Sequence, residues 1–267
     1  MKLKKITIIT FLALTLFAGV GSAQDETKGT IAGDIRLSGK IPKWSDPAIV
    51  EYQGPCGTKR PTSIVRLWKN RIMDVTLWLT PADENDKSGL DQILTDEIKV
   101  TSIRCEFVPK LIVARPSSIV NVSNDDPYTQ WLIIEEDGEK KRQVLQESNS
   151  DPIDLTVKND TSIHLTSGFY PWMEAWIKSI DNLLYSTATD WDGRFFFKDI
   201  LPGTYILHAW HASLGEVSQT ISVAADEKTS IEVNFEMPQK TVPVIEASSL
   251  EELFGRPDDV DDNPFKK

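Results

Sequence analysis

The chain has 267 residues and carries 40 acidic against 29 basic side chains, for a formal net charge of -11. A balance of that sign repels nucleic acid and anionic lipid, so neither is expected as a partner. A chain of this length holds one large or two small cores.

The first residues read as an export signal. Lys2, Lys4 and Lys5 precede an apolar run from Ile6 to Val20, and Gly21, Ser22 and Ala23 supply small residues at a cleavage position. Charge, apolar run and small residues in that order define a secretory signal peptide over residues 1–23. The run is short for a membrane span, which needs roughly 20 apolar residues. An uncleaved anchor is the alternative, and no cysteine follows the run to carry a lipid. Removing the segment takes away three lysines and no acids, so -11 becomes -14. No later segment is apolar enough to cross a bilayer after signal cleavage, and the protein is expected to be periplasmic or secreted.

Beyond Gly29 the sequence reads as one short strand after another. Alternating or β-branched runs occur at 30–37, 63–68, 74–80, 97–103, 111–114, 119–122, 130–134, 142–146, 153–157 and 162–166. Residues 124–127, Asn-Asp-Asp-Pro, form a strong turn signal. In the last third, strands are expected at 176–180, 184–189, 194–198, 204–211, 217–223 and 229–236. Asp190-Trp191-Asp192-Gly193 between two of them is a hairpin signal. No stretch before Ser248 has helical periodicity, so an all-β architecture of sandwiches or barrels is predicted.

Past Met237 the character changes. Pro238, Pro243, Pro257 and Pro264 and the acidic run from Asp258 to Asp262 predict a mostly disordered tail over 237–267. Within it, residues 249–252 match a helix capping box. Two cysteines, Cys56 and Cys105, lie in the exported part. An even count in an oxidising compartment favours one disulfide. Its loop of about 50 residues is worth about 4 kcal/mol in the chain-entropy picture.

Two stretches together resemble periplasmic cupredoxin-like proteins of the kind labelled methylamine-utilisation proteins. One is Cys105-Glu106-Phe107-Val108-Pro109 with the run from Val120 to Asp126, and the other runs from Tyr170 to Ile177. The chain then resembles a carboxypeptidase regulatory-like or transthyretin-like sandwich, of the kind that also occurs in starch-binding-like folds. That match is carried by residues 189–195, 201–205, 209–211 and 214–215. The resemblance implies a cupredoxin-like Greek-key sandwich over 29–181 and a small sandwich over 182–236. It also implies copper-ligand positions. The first histidine position falls at Gln130, the cysteine at Ser167 and the second histidine at Tyr170, while the methionine is kept as Met173. A blue-copper site needs a thiolate and two imidazoles, with methionine only a weak axial ligand. The expectation is therefore a former metal pocket with no metal and no cofactor, copper through unusual ligands being the alternative.

The remaining chemistry is sparse. His208 and His211 flank Ala209-Trp210, and in a strand they point to opposite faces. Either could serve a weak copper or zinc site. Asp190 and Asp192 lack the ligand spacing of a calcium loop. No nucleophile, zinc-hydrolase or phosphate-loop motif is present, so the protein is expected not to be an enzyme. Eight tryptophans are many for this length, and most are assigned to cores. Trp191, His208, Trp210 and His211 are the candidate ligand contacts. The functional expectation is a binding or scaffold protein with an unknown protein or glycan partner, with a carbohydrate-binding accessory module as a further alternative.

Overall fold

The structure is a computed structural model that describes residues 27–38, 49–51, 56, 59–61, 65–83, 85–86, 90, 98–237 and 244–246. The signal peptide and the capping box of the tail lie outside the described residues.

The N-terminal third supplies β1 (Gly29–Ser38), β2 (Ile49–Glu51), β3 (Lys59–Pro61), β4 (Val65–Trp68), β5 (Arg71–Ile72) and β6 (Thr76–Pro81). The middle supplies β7 (Ile98–Ile103), β8 (Glu106–Val108), β9 (Leu111–Ala114), β10 (Ile119–Asn124), β11 (Gln130–Glu136), β12 (Glu139–Gln146), β13 (Ile153–Thr156), β14 (Ser162–Ser167) and β15 (Glu174–Ser179). The last part supplies β16 (Tyr185–Ala188), β17 (Arg194–Ile200), β18 (Gly203–His211), β19 (Gly215–Val223), β20 (Lys228–Glu236) and β21 (Val244–Glu246). The all-β expectation holds: period-2 alternation gives strands such as β11, β14 and β18 one buried face, while β6 and β9 are buried on both.

These strands build two sandwiches. The middle strands form a sheet β13-β10-β7-β8 facing a sheet β12-β11-β14-β15-β9. Their shared core includes Val100, Phe107, Val120, Val122, Leu132, Leu165 and Ile177. The other sandwich faces β16-β6-β18-β19 against a sheet in which β1 is bordered by β17, β5 and β20, with β4 and β21 beyond β5. Its core draws on both ends of the chain, with Ile31, Ile35, Leu67, Ile72, Leu77, Phe195, Leu207, Val233 and Phe235.

This corrects the expected division at 181/182. β1, β4 and β6 pair with C-terminal strands, with β5 between β1 and β4, while β2 and β3 pair only with each other and Cys56 packs in the core of the middle sandwich. β1 runs antiparallel to β17 and parallel to β20, with Gly33 opposite both Phe195 and Ile231. The strands pass so close there that a β-carbon on Gly33 would lie 2.0 Å from the Ile231 carbonyl oxygen. The middle sandwich, 98–179, is thus an insertion between β6 and β16. Alternation on β1 fixes which face is buried but carries no information on which distant strand covers it.

Two smaller expectations also change. The Asp190–Gly193 turn forms: Asp190 Oδ1 accepts from the amides of Asp192 at 2.9 Å and Arg194 at 2.8 Å. It does not make a simple hairpin, because β16 pairs with β6 while β17 pairs with β1, so the turn carries the chain from one sheet to the other. In the tail, Val244–Glu246 adds to β4 as a parallel strand, where a disordered segment was expected.

The sandwiches meet along one seam. Trp78, Val113 and Leu183 are buried there, with Ile180 and Trp210 packed against them. Thr76 Oγ1 donates to the Leu111 carbonyl at 3.0 Å and Arg115 Nε to the Leu183 carbonyl at 2.8 Å, tying β6 and the chain after β15 to β9 and its following loop.

Candidate ligand pocket of the inserted sandwich

The β10–β11 turn, the β7–β8 turn and the loop from Ser167 to Met173 gather at one end of the inserted sandwich. Asn124 organises the first. Its side-chain amide donates to the carbonyls of Tyr128 at 2.8 Å and Gln146 at 3.0 Å, and its Oδ1 accepts from the Asp126 amide at 3.2 Å. Asp126, 2% exposed, then accepts from Ser102 Oγ at 2.7 Å and from the Cys105 amide at 3.2 Å. Arg104 and Cys105 both have positive φ, 54° and 62°, the geometry of a tight two-residue hairpin. The carboxylate thus holds a backbone that L-residues adopt reluctantly.

The expected disulfide is present: Cys56 and Cys105 are bonded, with α-carbons 5.7 Å apart. Tyr128 Oη lies 3.0 Å from Cys56 Sγ and 2.5 Å from Cys105 Sγ, and the phenol is the donor because the disulfide sulfurs carry no proton. A disulfide of this kind fits an extracellular or periplasmic protein.

Gln130, Ser167, Tyr170 and Met173 come together beside this frame. All are buried, at 1%, 8%, 4% and 1% exposure. Ser167 Oγ donates to Gln130 Oε1 at 3.3 Å and accepts from the amides of Phe169 at 3.2 Å and Tyr170 at 3.1 Å. Gln130 Nε2 lies 3.7 Å from Met173 Sδ and 3.4 Å from Asp126 Oδ2. The loop closes on itself, with the Met173 amide donating to the Tyr170 carbonyl at 2.9 Å. The Tyr170 ring meets Tyr128 edge-on at 5.4 Å. Gly168 is needed where it is, since a β-carbon would come within 2.3 Å of the Trp131 ring.

Chemically the pocket offers an amide, a hydroxyl, a phenol and a thioether. None is a strong donor to copper at neutral pH, since a phenol becomes a strong ligand only on losing its proton. Among the described residues, no group of three or more His, Cys, Asp or Glu side chains is placed to hold a metal ion. The neighbouring Asp126 and Tyr128 were not singled out by sequence reasoning. The signals for them were their place in the Asn-Asp-Asp-Pro-Tyr turn and, for Asp126, in the run from Val120 that carries the resemblance.

The other candidate contacts do not form one site. Trp191 is 45% exposed in its turn, with the Arg66 guanidinium 5.4 Å from its ring centroid. His208 stacks on Trp78 at 5.0 Å and its Nδ1 lies 3.1 Å from Glu216 Oε1. Hydrogen bonding to His208, with Lys178 beside it, pulls the Glu216 carboxyl down to about 2. His211 lies on the opposite face of β18, 2% exposed, so the two histidines do not converge. Burial pushes the His211 imidazole down to about 4, which keeps it neutral. Close to it, Arg66 and Asp74 form a buried ion pair.

Fold and site together define a class: an all-β protein of two sandwiches, one with a buried, loop-built polar cluster at its end. The sequence model of polysaccharide lyase family 4, domain II, matches residues 163–231, about a quarter of the chain. The match thus runs from β14 into β20 and spans parts of both sandwiches. No curated protein matches. Among solved structures, amicyanin from Paracoccus versutus is similar at 11% identity and a TM-score of 0.29, over 38% of this chain and 97% of that one. A purple cupredoxin from Nitrosopumilus maritimus is similar at 10% identity and a TM-score of 0.28, over 32% of this chain and all of that one. A copper-containing nitrite reductase from Thermus scotoductus is similar at 12% identity and a TM-score of 0.28, over 38% of this chain, which spans only 25% of that one.

Proposed function

We propose that the protein is an exported, non-catalytic binding or scaffold protein whose inserted, cupredoxin-like sandwich has exchanged its copper site for a hydrogen-bonded plug. The observation that carries this reading is the Gln130 amide, which bonds Ser167 on one side and reaches Met173 and Asp126 on the other. A buried polar set that satisfies itself gives up nothing by lacking a metal. Ser167 and Tyr170 stand where the resemblance implies a thiolate and an imidazole, so the soft, strongly held ligand set is gone.

The test is metal analysis of the full exported chain purified without chelators, followed by titration with copper. The expected result is no stoichiometric copper and no thiolate-to-copper absorption. The triple change Gln130→His, Ser167→Cys, Tyr170→His is expected to create a coloured copper site. Stoichiometric copper in the unaltered protein, lost in Gln130→Leu, would overturn the proposal.

A second reading is a carbohydrate-binding accessory module. The family-model match over residues 163–231 favours it, because polysaccharide lyases act on glycans. Glycan binding by the unaltered chain with no cleavage of the bound glycan is the outcome that supports it.

A further inference from the structure

We infer that the cleft along the seam between the two sandwiches is a saccharide-binding site that takes a pyranose ring of a neutral glycan. The inference rests on the carbohydrate-binding reading above and gives it a place. The floor of the cleft is the outer face of the inserted sandwich, with Leu111 from β9, Trp176 and Lys178 from β15 and Ser162 from β14. Trp210 of β18 in the other sandwich forms the wall, and the space between is about 240 Å³. That is smaller than the roughly 300–1,000 Å³ of sites for drug-sized ligands, so it accepts a single ring.

Two indoles in one small cleft suit the apolar C–H faces of a sugar, as flat aromatic surfaces bury area at little entropic cost. Trp176 is held in place. The His164 ring stacks on it at 3.8 Å with the planes 9° apart. His164 is in turn set between Glu135 and Glu174, its Nδ1 3.7 Å and its Nε2 3.4 Å from their carboxylates. Lys178 bonds Glu216 at 2.7 Å, which lies on β19 of the wall side. The polar side chains of the lining are Ser162 and Lys178, which offer a hydroxyl and an ammonium to sugar hydroxyls, each both donor and acceptor. The Lys178–Glu216 pair argues against charged ligands. A cation would meet Lys178, and a uronate would have to displace Glu216 from it.

Calorimetric titration of the full exported chain with a panel of neutral and uronate-containing oligosaccharides tests this. A neutral oligosaccharide is expected to bind, and Trp210→Leu and Trp176→Leu are each expected to weaken it by about tenfold or more. Trp191→Ala, on an exposed ring outside the cleft, is expected to leave the affinity within about twofold. If Trp176→Leu fails to fold, as judged by its melting curve, Trp210→Leu and Lys178→Met carry the test. No binding of any neutral oligosaccharide, binding of uronates alone, or affinity that survives both cleft changes but falls with Trp191→Ala would overturn the inference. Absence of binding leaves the copper-free reading standing, since that is read by metal analysis. Cleavage of a glycan bound in the cleft would sink the non-catalytic reading and support the site.

Discussion

The two sandwiches bury polar groups in different places. In the inserted sandwich, Ser102, Asn124, Asp126, Gln130, Gln146 and Ser167 are buried near one end, where the loops meet, with Ser123 beside them and Thr161 at the other end of β14. Hydrogen bonds run from Ser102 through Asp126 and Gln130 to Ser167. In the outer sandwich the buried polar groups are Arg66, Thr76, Thr189 and His211. Three of those four look toward the inserted sandwich: Thr76 bonds Leu111, Arg66 feels the charge of Glu106, and His211 feels that of Lys110. Most of the interior polarity in the first lies at the loop end, and in the second most of it lies at the seam, and in both it is hydrogen-bonded or ion-paired.

The largest expected effect that separates the two regions is at Arg66. Its guanidinium is 9% exposed and paired with Asp74, whose carboxyl it holds well below the usual range. Arg66→Met leaves that largely buried carboxylate without its guanidinium partner, and a loss of about 3–5 kcal/mol in urea unfolding is expected. Adding Asp74→Leu should recover most of it. If the single change costs no more than the double, the pair is not desolvated and the seam is wetter than described.

Opening the disulfide acts on the other sandwich. The double change Cys56→Ser, Cys105→Ser releases a loop with a sequence separation of 49. The expected loss is about 4 kcal/mol. A melting curve in which the outer sandwich falls first would show that the bridge does not act mainly on the inserted one.

His211 gives the seam a pH signature. Its folded pKa of about 4 lies below the ordinary 6.5, so the unfolded chain binds a proton that the folded one refuses. Its contribution is complete above pH 6.5 and is lost as pH falls from there toward 4, about 3 kcal/mol in all. In His211→Gln the stability difference between pH 7 and pH 4.5 should shrink accordingly. An unchanged difference would assign the acid sensitivity to carboxylates alone.

The smallest effect is expected at the pocket. Gln130→Leu removes hydrogen bonds to Ser167 and Asp126, yet Ser167 Oγ keeps two backbone donors and Asp126 keeps Ser102 and Cys105. The cost should be about 1 kcal/mol by urea unfolding. A loss above about 3 kcal/mol would mean that Gln130 is the strut of the whole loop end.

Much of the pocket was legible beforehand because it is local. The spacing of Ser167, Tyr170 and Met173 fixes a short loop, and Asn124 and Gln130 lie on either side of one turn. The cleft was not legible. Trp176 read as a core residue and Trp210 as a candidate contact grouped with Trp191, His208 and His211, because alternation shows that each leaves its strand on the half-buried face without showing what stands opposite. Asp126 read only as a turn residue, since its acceptors are filled from Ser102 and Cys105, more than 20 positions away.

By itself the sequence determined most of the longer strands, the turns at Asn124–Pro127 and Asp190–Gly193, and the disulfide partners. These depend on side-chain periodicity, on turn chemistry and on a cysteine count that leaves one pairing. Tertiary structure alone decided that β1 pairs with β17 and β20, that the middle sandwich is an insertion, and that Trp176 and Trp210 share a cleft. Those outcomes turn on which apolar faces cover one another, and hydrophobic burial is non-directional, so many partners satisfy the same alternation until the whole chain is packed.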